Sequence, residues 1–141
     1  MAYFQYAVKY LCGAGDGINL ARNPYLTAIN IHNPYDFPQD PICWKIVASP
    51  PPGGDPLAPG PAPGPWQRTS LPLDRVIEIN CRHISQVSGG IPTGFVVIRS
   101  PNELDVVAVY TVERANQPAD ILQILNITPR IIQTDQPMCP G

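Results

Sequence analysis

The stretch that decides the fold is Thr93 to Glu113, TGFVVIRSPNELDVVAVYTVE. Val, Ile, Phe and Tyr crowd two short runs, Thr93 to Ser100 and Asp105 to Glu113, and such residues favour a pleated, buried surface. The runs are dense enough to suggest central strands covered on both sides. Between them stands Pro101-Asn102. Pro presets the first central angle of a turn and Asn tolerates the second, so the pair predicts a reversal. The expected unit is a β-hairpin.

Period-two patterns extend outward from this unit. Phe4, Tyr6, Val8 and Tyr10 share one side of an extended segment. Tyr25, Thr27, Ile29 and Ile31 share a side further on. In ICWKIVA, Ile42, Trp44 and Ile46 oppose Cys43 and Lys45; in RVIEINC, Ile77, Ile79 and Cys81 oppose Glu78 and Asn80. Alternation of this kind marks half-buried strands. The segment Asp120 to Ile127, DILQILNI, fits either two helical turns or a strand. Pro118 and Pro129 bound it closely, which favours an edge strand. The count is about seven strands, and the expected fold is an all-β, single-domain antiparallel β-sandwich over residues 1–141.

Composition supports this. The 141 residues include 19 prolines, spread from Pro24 to Pro140, so no long uninterrupted helix can form. Charged residues are only 14%, against roughly 25% in an average soluble domain. Nine basic residues face eleven acidic ones, without the basic excess of a nucleic-acid binder. No apolar run is long enough to span a membrane as a helix, so no membrane insertion is expected. The first twenty residues lack a basic start followed by an apolar stretch. That suggests a cytoplasmic chain by default, or a mature exported one as the alternative.

Ser49 to Trp66, SPPPGGDPLAPGPAPGPW, holds eight prolines and four glycines. Proline at this density favours extended conformations, and few of its side chains can pack. A long surface loop over 49–66 is expected, acting as a spacer. The alternative is a ligand for an aromatic-lined groove through Pro61 to Pro65. The tail 135–141 is expected to be flexible unless tied down.

Catalytic groups are sparse. Gly13-Ala14-Gly15-Asp16-Gly17 follows a strand but precedes no segment long enough for a phosphate-binding helix, so it reads as a mobile turn. No serine sits in a nucleophile elbow, and no motif calls for a cofactor. His32 and His83 are the only histidines. Cys81-Arg82-His83, read as extended, puts two potential ligands on one side, and with Cys12 or His32 nearby a zinc site would have suitable donors. The four cysteines, Cys12, Cys43, Cys81 and Cys139, otherwise read as free thiols or as one or two disulfides. If a bridge exists, Cys12 with Cys81 is the first choice, since both end predicted strands. Asn126-Ile127-Thr128 matches a glycosylation acceptor, but Pro129 follows and the match reads as chance. Tyr35 and Trp66 fall in loops and are the candidate surface contacts for a partner.

Three blocks carry a family resemblance: TAINIHNP from Thr27, IEINCRHI from Ile77, and GFVVIRS from Gly94 running into LDVVAVYT from Leu104. With the opening strand ending Lys9-Tyr10-Leu11-Cys12-Gly13, their order resembles a group of small uncharacterised bacterial β-sandwich proteins. More distantly it is similar to the sensory-rhodopsin transducer-like sandwiches, which form oligomers. The resemblance implies a framework and self-association, and it carries no activity or catalytic residue. Many of the similar proteins are exported, whereas this chain shows no signal segment. The expectation is a non-enzymatic structural or self-assembling subunit, a homo-oligomer. The alternatives are a binding module for a small ligand or glycan using Tyr35 and Trp66, and a metal-dependent enzyme using His32, Cys81 and His83.

Overall fold

The computed structural model describes residues 1–14, 24–113 and 120–141. Gly15 to Gly17 of the glycine turn, and Pro118, lie outside these described residues. The chain forms β1 (Ala2–Leu11), β2 (Gly13–Ala14), β3 (Pro24–His32), β4 (Gln39–Ala48), β5 (Gln67–Leu71), β6 (Val76–Asn80), α1 (Cys81–Ser88), β7 (Thr93–Ser100), β8 (Asp105–Val112), β9 (Asp120–Asn126) and β10 (Arg130–Gln133). All strand pairs are antiparallel and make two sheets of five. The first runs β10-β1-β7-β4-β5. The second runs β2-β3-β8-β9, with β6 also on β3.

The protein is therefore all-β, with ten described strands rather than seven. The seven expected strands are β1, β3, β4, β6, β7, β8 and β9. The additional ones, β2, β5 and β10, are two, five and four residues long. β2 and β10 are too short to show a period, and β5, QRTSL, has only Leu71 as an apolar side chain to mark a face.

Thr93 to Val112 is not a hairpin. β7 lies between β1 and β4 in the first sheet, and β8 lies between β3 and β9 in the second. The reversal at Pro101-Asn102 carries the chain across from one sheet to the other. The Tyr6 hydroxyl holds that crossing: it accepts from the Leu104 amide at 2.6 Å and donates to the Leu104 carbonyl at 3.0 Å. Nor are the two strands covered on both sides. In β7, Gly94, Val96, Ile98 and Ser100 are buried while Phe95 is 43% exposed. In β8, Val106, Ala108, Tyr110 and Val112 are buried while Val107 and Val109 are half-buried.

Side chains from both sheets form one buried cluster, including Tyr6, Val8 and Tyr10 from β1, Ile29 and Ile31 from β3, and Ile98 and Ala108 from β7 and β8. Burying such side chains contributes roughly 1.5–3 kcal/mol each. The core tyrosines keep a polar partner at their tips. Tyr110 donates to the Lys9 carbonyl at 2.5 Å, joining β8 to β1. Burial pushes the Tyr6 hydroxyl up to about 12. Gly94 is required by close approach: a Cβ there would stand 2.4 Å from the Val47 carbonyl oxygen and 2.7 Å from the Tyr10 ring.

Cys81 to Ser88 is helical, not the end of a strand. Asn80 caps it: its side-chain oxygen accepts from the Arg82 amide at 3.0 Å, and the Asn80 amide donates to His83 Nδ1 at 3.3 Å. Gly89 closes the helix with φ 67°. The helix buries Ile84 completely in the core. The proline-rich loop is exposed over Pro51 to Pro59, but its second half follows β4. The Gly64 amide donates to the Ile46 carbonyl at 2.9 Å, and a Cβ on Gly60 would strike the Ala48 carbonyl. Among the described residues, no helix is long and apolar enough to cross a membrane.

Candidate functional site

The four cysteines pair as Cys12–Cys81 and Cys43–Cys139, with Cα separations of 5.5 and 6.0 Å. The first joins the end of β1 to the start of α1. The second ties the tail to β4. The tail is further held by Arg99, which donates to the Met138 carbonyl at 3.0 Å, and by Arg68, which donates to the Cys139 carbonyl at 2.6 Å. The segment expected to be flexible is thus fastened across the outer face of the first sheet.

His32, Cys81 and His83 do not converge. Cys81 is half of a disulfide and offers no thiolate. The helix replaces the extended geometry that put Cys81 and His83 on one side, and His83 is used in the cap. His32 sits at the far end of the β3–β6 pair, opposite Val76, while Asn80 is opposite Ala28. Among the described residues, no group of three or more His, Cys, Asp or Glu is placed to hold a metal ion.

His32 has a different setting. Its Nδ1 lies 2.8 Å from Asp105 Oδ2, and its Nε2 lies 2.9 Å from Asp74 Oδ1. Asp105 starts β8, directly opposite His32 in the register. Asp74 belongs to the β5–β6 turn and has φ 49°. The hydrogen bonds that the ring makes to Asp105 and then to Asp74 raise the imidazole pKa. Both carboxylates can only accept, so the protonated ring satisfies both contacts.

Tyr35 and Trp66, the candidate contacts, lie in different settings. Tyr35 stacks on Phe37 with ring centroids 5.0 Å apart. Its turn is built by buried Asn33, which accepts from the Tyr35 amide and donates to the Phe37 carbonyl at 2.8 Å. Trp66 lies on the outer face of the first sheet, under Lys45 at 4.6 Å and Arg99 at 4.5 Å from its centroid. Two cations therefore occupy this ring.

The outer faces of the two sheets differ in charge. The strands of the first sheet carry Lys9, Lys45, Arg68, Arg99 and Arg130 against one acid, Asp40. The strands of the second carry Glu78, Asp105 and Asp120 and no Lys or Arg. The second sheet exposes the larger apolar set, compared with Phe95 and Ile131 on the first. Leu26 is 51% exposed, and β9 exposes Ile121, Leu122 and Ile124. Val109 lies in register between Ala28 and Ile124. A hollow of about 390 Å³ opens beside them, bordered by Leu26, Ala28, Arg82, Val109 and Thr111. These surfaces belong to an all-β protein of two antiparallel sheets, and no family model, curated protein or solved structure matches the chain.

Proposed function

We propose that the chain is a non-enzymatic structural subunit, a β-sandwich that assembles with copies of itself through its second sheet. The observation that carries this is β9. Among the described residues it hydrogen-bonds only to β8, and it exposes Ile121, Leu122 and Ile124 beside the half-buried Val109. Open strand edges pair with other chains unless charge, proline or cover blocks them. The strands of this sheet carry no lysine or arginine, so the commonest edge block is missing. The resemblance of the TAINIHNP, IEINCRHI and GFVVIRS blocks to small bacterial sandwich proteins points the same way. Sedimentation of the purified chain above micromolar concentration should show a species heavier than the 15.4 kDa monomer. Ile124→Lys should return it to monomer with an unchanged circular dichroism spectrum. A wild-type monomer at those concentrations would overturn the proposal.

A further inference from the structure

Cations on the first sheet line up by register. Gln5 stands opposite Arg130 on one side and Arg99 on the other, and Cys43 stands opposite both Arg99 and Arg68. Arg99 and Arg68 are committed to the tail, and Lys45 to Trp66. Two cations remain outside that cluster. Arg130 is exposed, and its guanidinium has no hydrogen-bond or ion-pair partner among the described residues. Lys9 reaches over the Phe95 ring at 5.3 Å. Between them lies a cavity of about 460 Å³ lined by Gln5, Ala7, Phe95, Thr128 and Arg130. Past Lys9 the surface continues into a second hollow of about 260 Å³, walled by Ser49, Pro50, Pro51 and Pro56 of the proline-rich loop.

We propose that this groove binds an acidic glycan, a sugar chain carrying carboxylate or sulfate groups. The groove offers donors. Arg130 and Lys9 only donate. The Gln5 carbonyl oxygen already accepts from Arg99 Nε at 2.8 Å, which leaves its amide N–H groups for a ligand. Thr128 adds a hydroxyl, and no carboxylate lines either hollow. A ligand rich in acceptors and negative charge complements this wall. An extended peptide, or a strand from a second copy, would bring N–H donors to a mid-sheet face lacking ladder acceptors. Single-stranded nucleic acid needs a succession of aromatic faces, and the groove has one half-exposed ring, Phe95, which Lys9 already covers. Gln5 and Lys9 are four residues apart on β1, about 13 Å along the strand. The two cations are thus spaced for separate sugars of one chain. Two disulfides also fit an oxidising compartment, the setting in which acidic glycans are displayed.

The test titrates the whole protein with a uronate oligosaccharide and, separately, a sulfated one. A neutral glucan, polyglutamate and oligothymidylate of matched length form the comparison arms. One or both acidic sugars should bind at sub-millimolar concentration, and binding should weaken as salt rises. Which of them binds identifies the anionic group. Arg130→Gln should weaken binding about tenfold, the worth of one charge-assisted hydrogen bond. Lys9→Gln should act in the same direction, and Arg75→Gln, on the exposed β5–β6 turn, should leave binding unchanged. Arg130 is exposed on a short edge strand, so its variant keeps the fold and decides the matter if Lys9→Gln does not fold. Absence of binding at millimolar sugar overturns the proposal. So does equal binding of the neutral glucan, polyglutamate or oligothymidylate, or indifference to Arg130→Gln. None of these outcomes depends on self-association through the second sheet.

Discussion

His32 shows how one side chain couples three elements. It ends β3, and its two ring nitrogens reach the first residue of β8 and the turn between β5 and β6. The raised imidazole pKa makes the contact a pH-dependent clamp. A group whose pKa is raised in the folded state stabilises fully below its unfolded value, about 6.5. That contribution fades as pH rises through the folded value. Asp105→Asn and Asp74→Asn should each move the His32 titration, followed by NMR, back toward the ordinary imidazole range. Each should also lower the melting temperature more at about pH 5.5 than at pH 8. A wild-type His32 titrating at or below the ordinary value would contradict the clamp. Nothing in the sequence around His32 announces it, because its partners are 42 and 73 residues away. The same holds for Arg130, Gln5 and Lys9. Each looks like an isolated polar residue until strand register aligns β10, β1 and β7.

At the scale of elements, the disulfides divide the labour. Cys12–Cys81 spans 69 residues and closes the core at the start of α1. Cross-linking a loop of that length stabilises by about 4 kcal/mol through the unfolded chain. Cys43–Cys139 spans 96 residues, so by the same argument it restrains the unfolded chain at least as strongly, while in the folded protein it fastens the tail to β4. Thiol titration of the denatured, unreduced protein should find no free group. Cys43→Ser with Cys139→Ser should leave the sheets intact while opening the segment after Thr134 to limited proteolysis. Cys12→Ser with Cys81→Ser should lower global stability about as much as that variant does, while leaving the segment protected. Opening of the segment after Thr134 in both double variants, or in neither, would refute this division. Alternation made β1, β3 and β4 legible in the sequence, because a half-buried strand writes its inner face at every second residue. The pairing of β7 was not legible. Pro101-Asn102 specifies that the chain reverses, not whether the returning strand joins the same sheet or the facing one. Tyr6, nearly a hundred residues away, holds Leu104 in the crossing. Helix α1 hid behind Ile77 and Ile79, whose alternation runs on into Cys81. Its markers were Asn80 at the cap and Gly89-Gly90 after it.

Across the whole molecule, the chemistry of the described strands is sorted by sheet: lysine and arginine lie on the first, and most exposed aliphatics lie on the second, with Ile131 on β10 the exception. One sheet is thereby suited to anions and the other to apolar contact, so the two proposed roles do not compete for surface. Pairs of substitutions on β8 can separate folding from assembly. Val106 points into the core at 3% exposure, while Val109 points outward between Ala28 and Ile124. Val106→Lys buries an ammonium without a partner, which costs several kcal/mol or forces the strand apart, and should unfold the subunit. Val109→Lys places its charge on the open face, where the long side chain reaches water. It should leave the β spectrum and melting temperature close to wild type while shifting sedimentation toward monomer. Val107→Lys, one step along the same face and opposite Asn126, should behave likewise but more weakly, since Asn126 is polar. If Val109→Lys stays folded and sediments as wild type does, the outer face of the second sheet is not the contact. Assembly would then have to run through the open backbone edge of β9, which pairs only with β8 among the described residues.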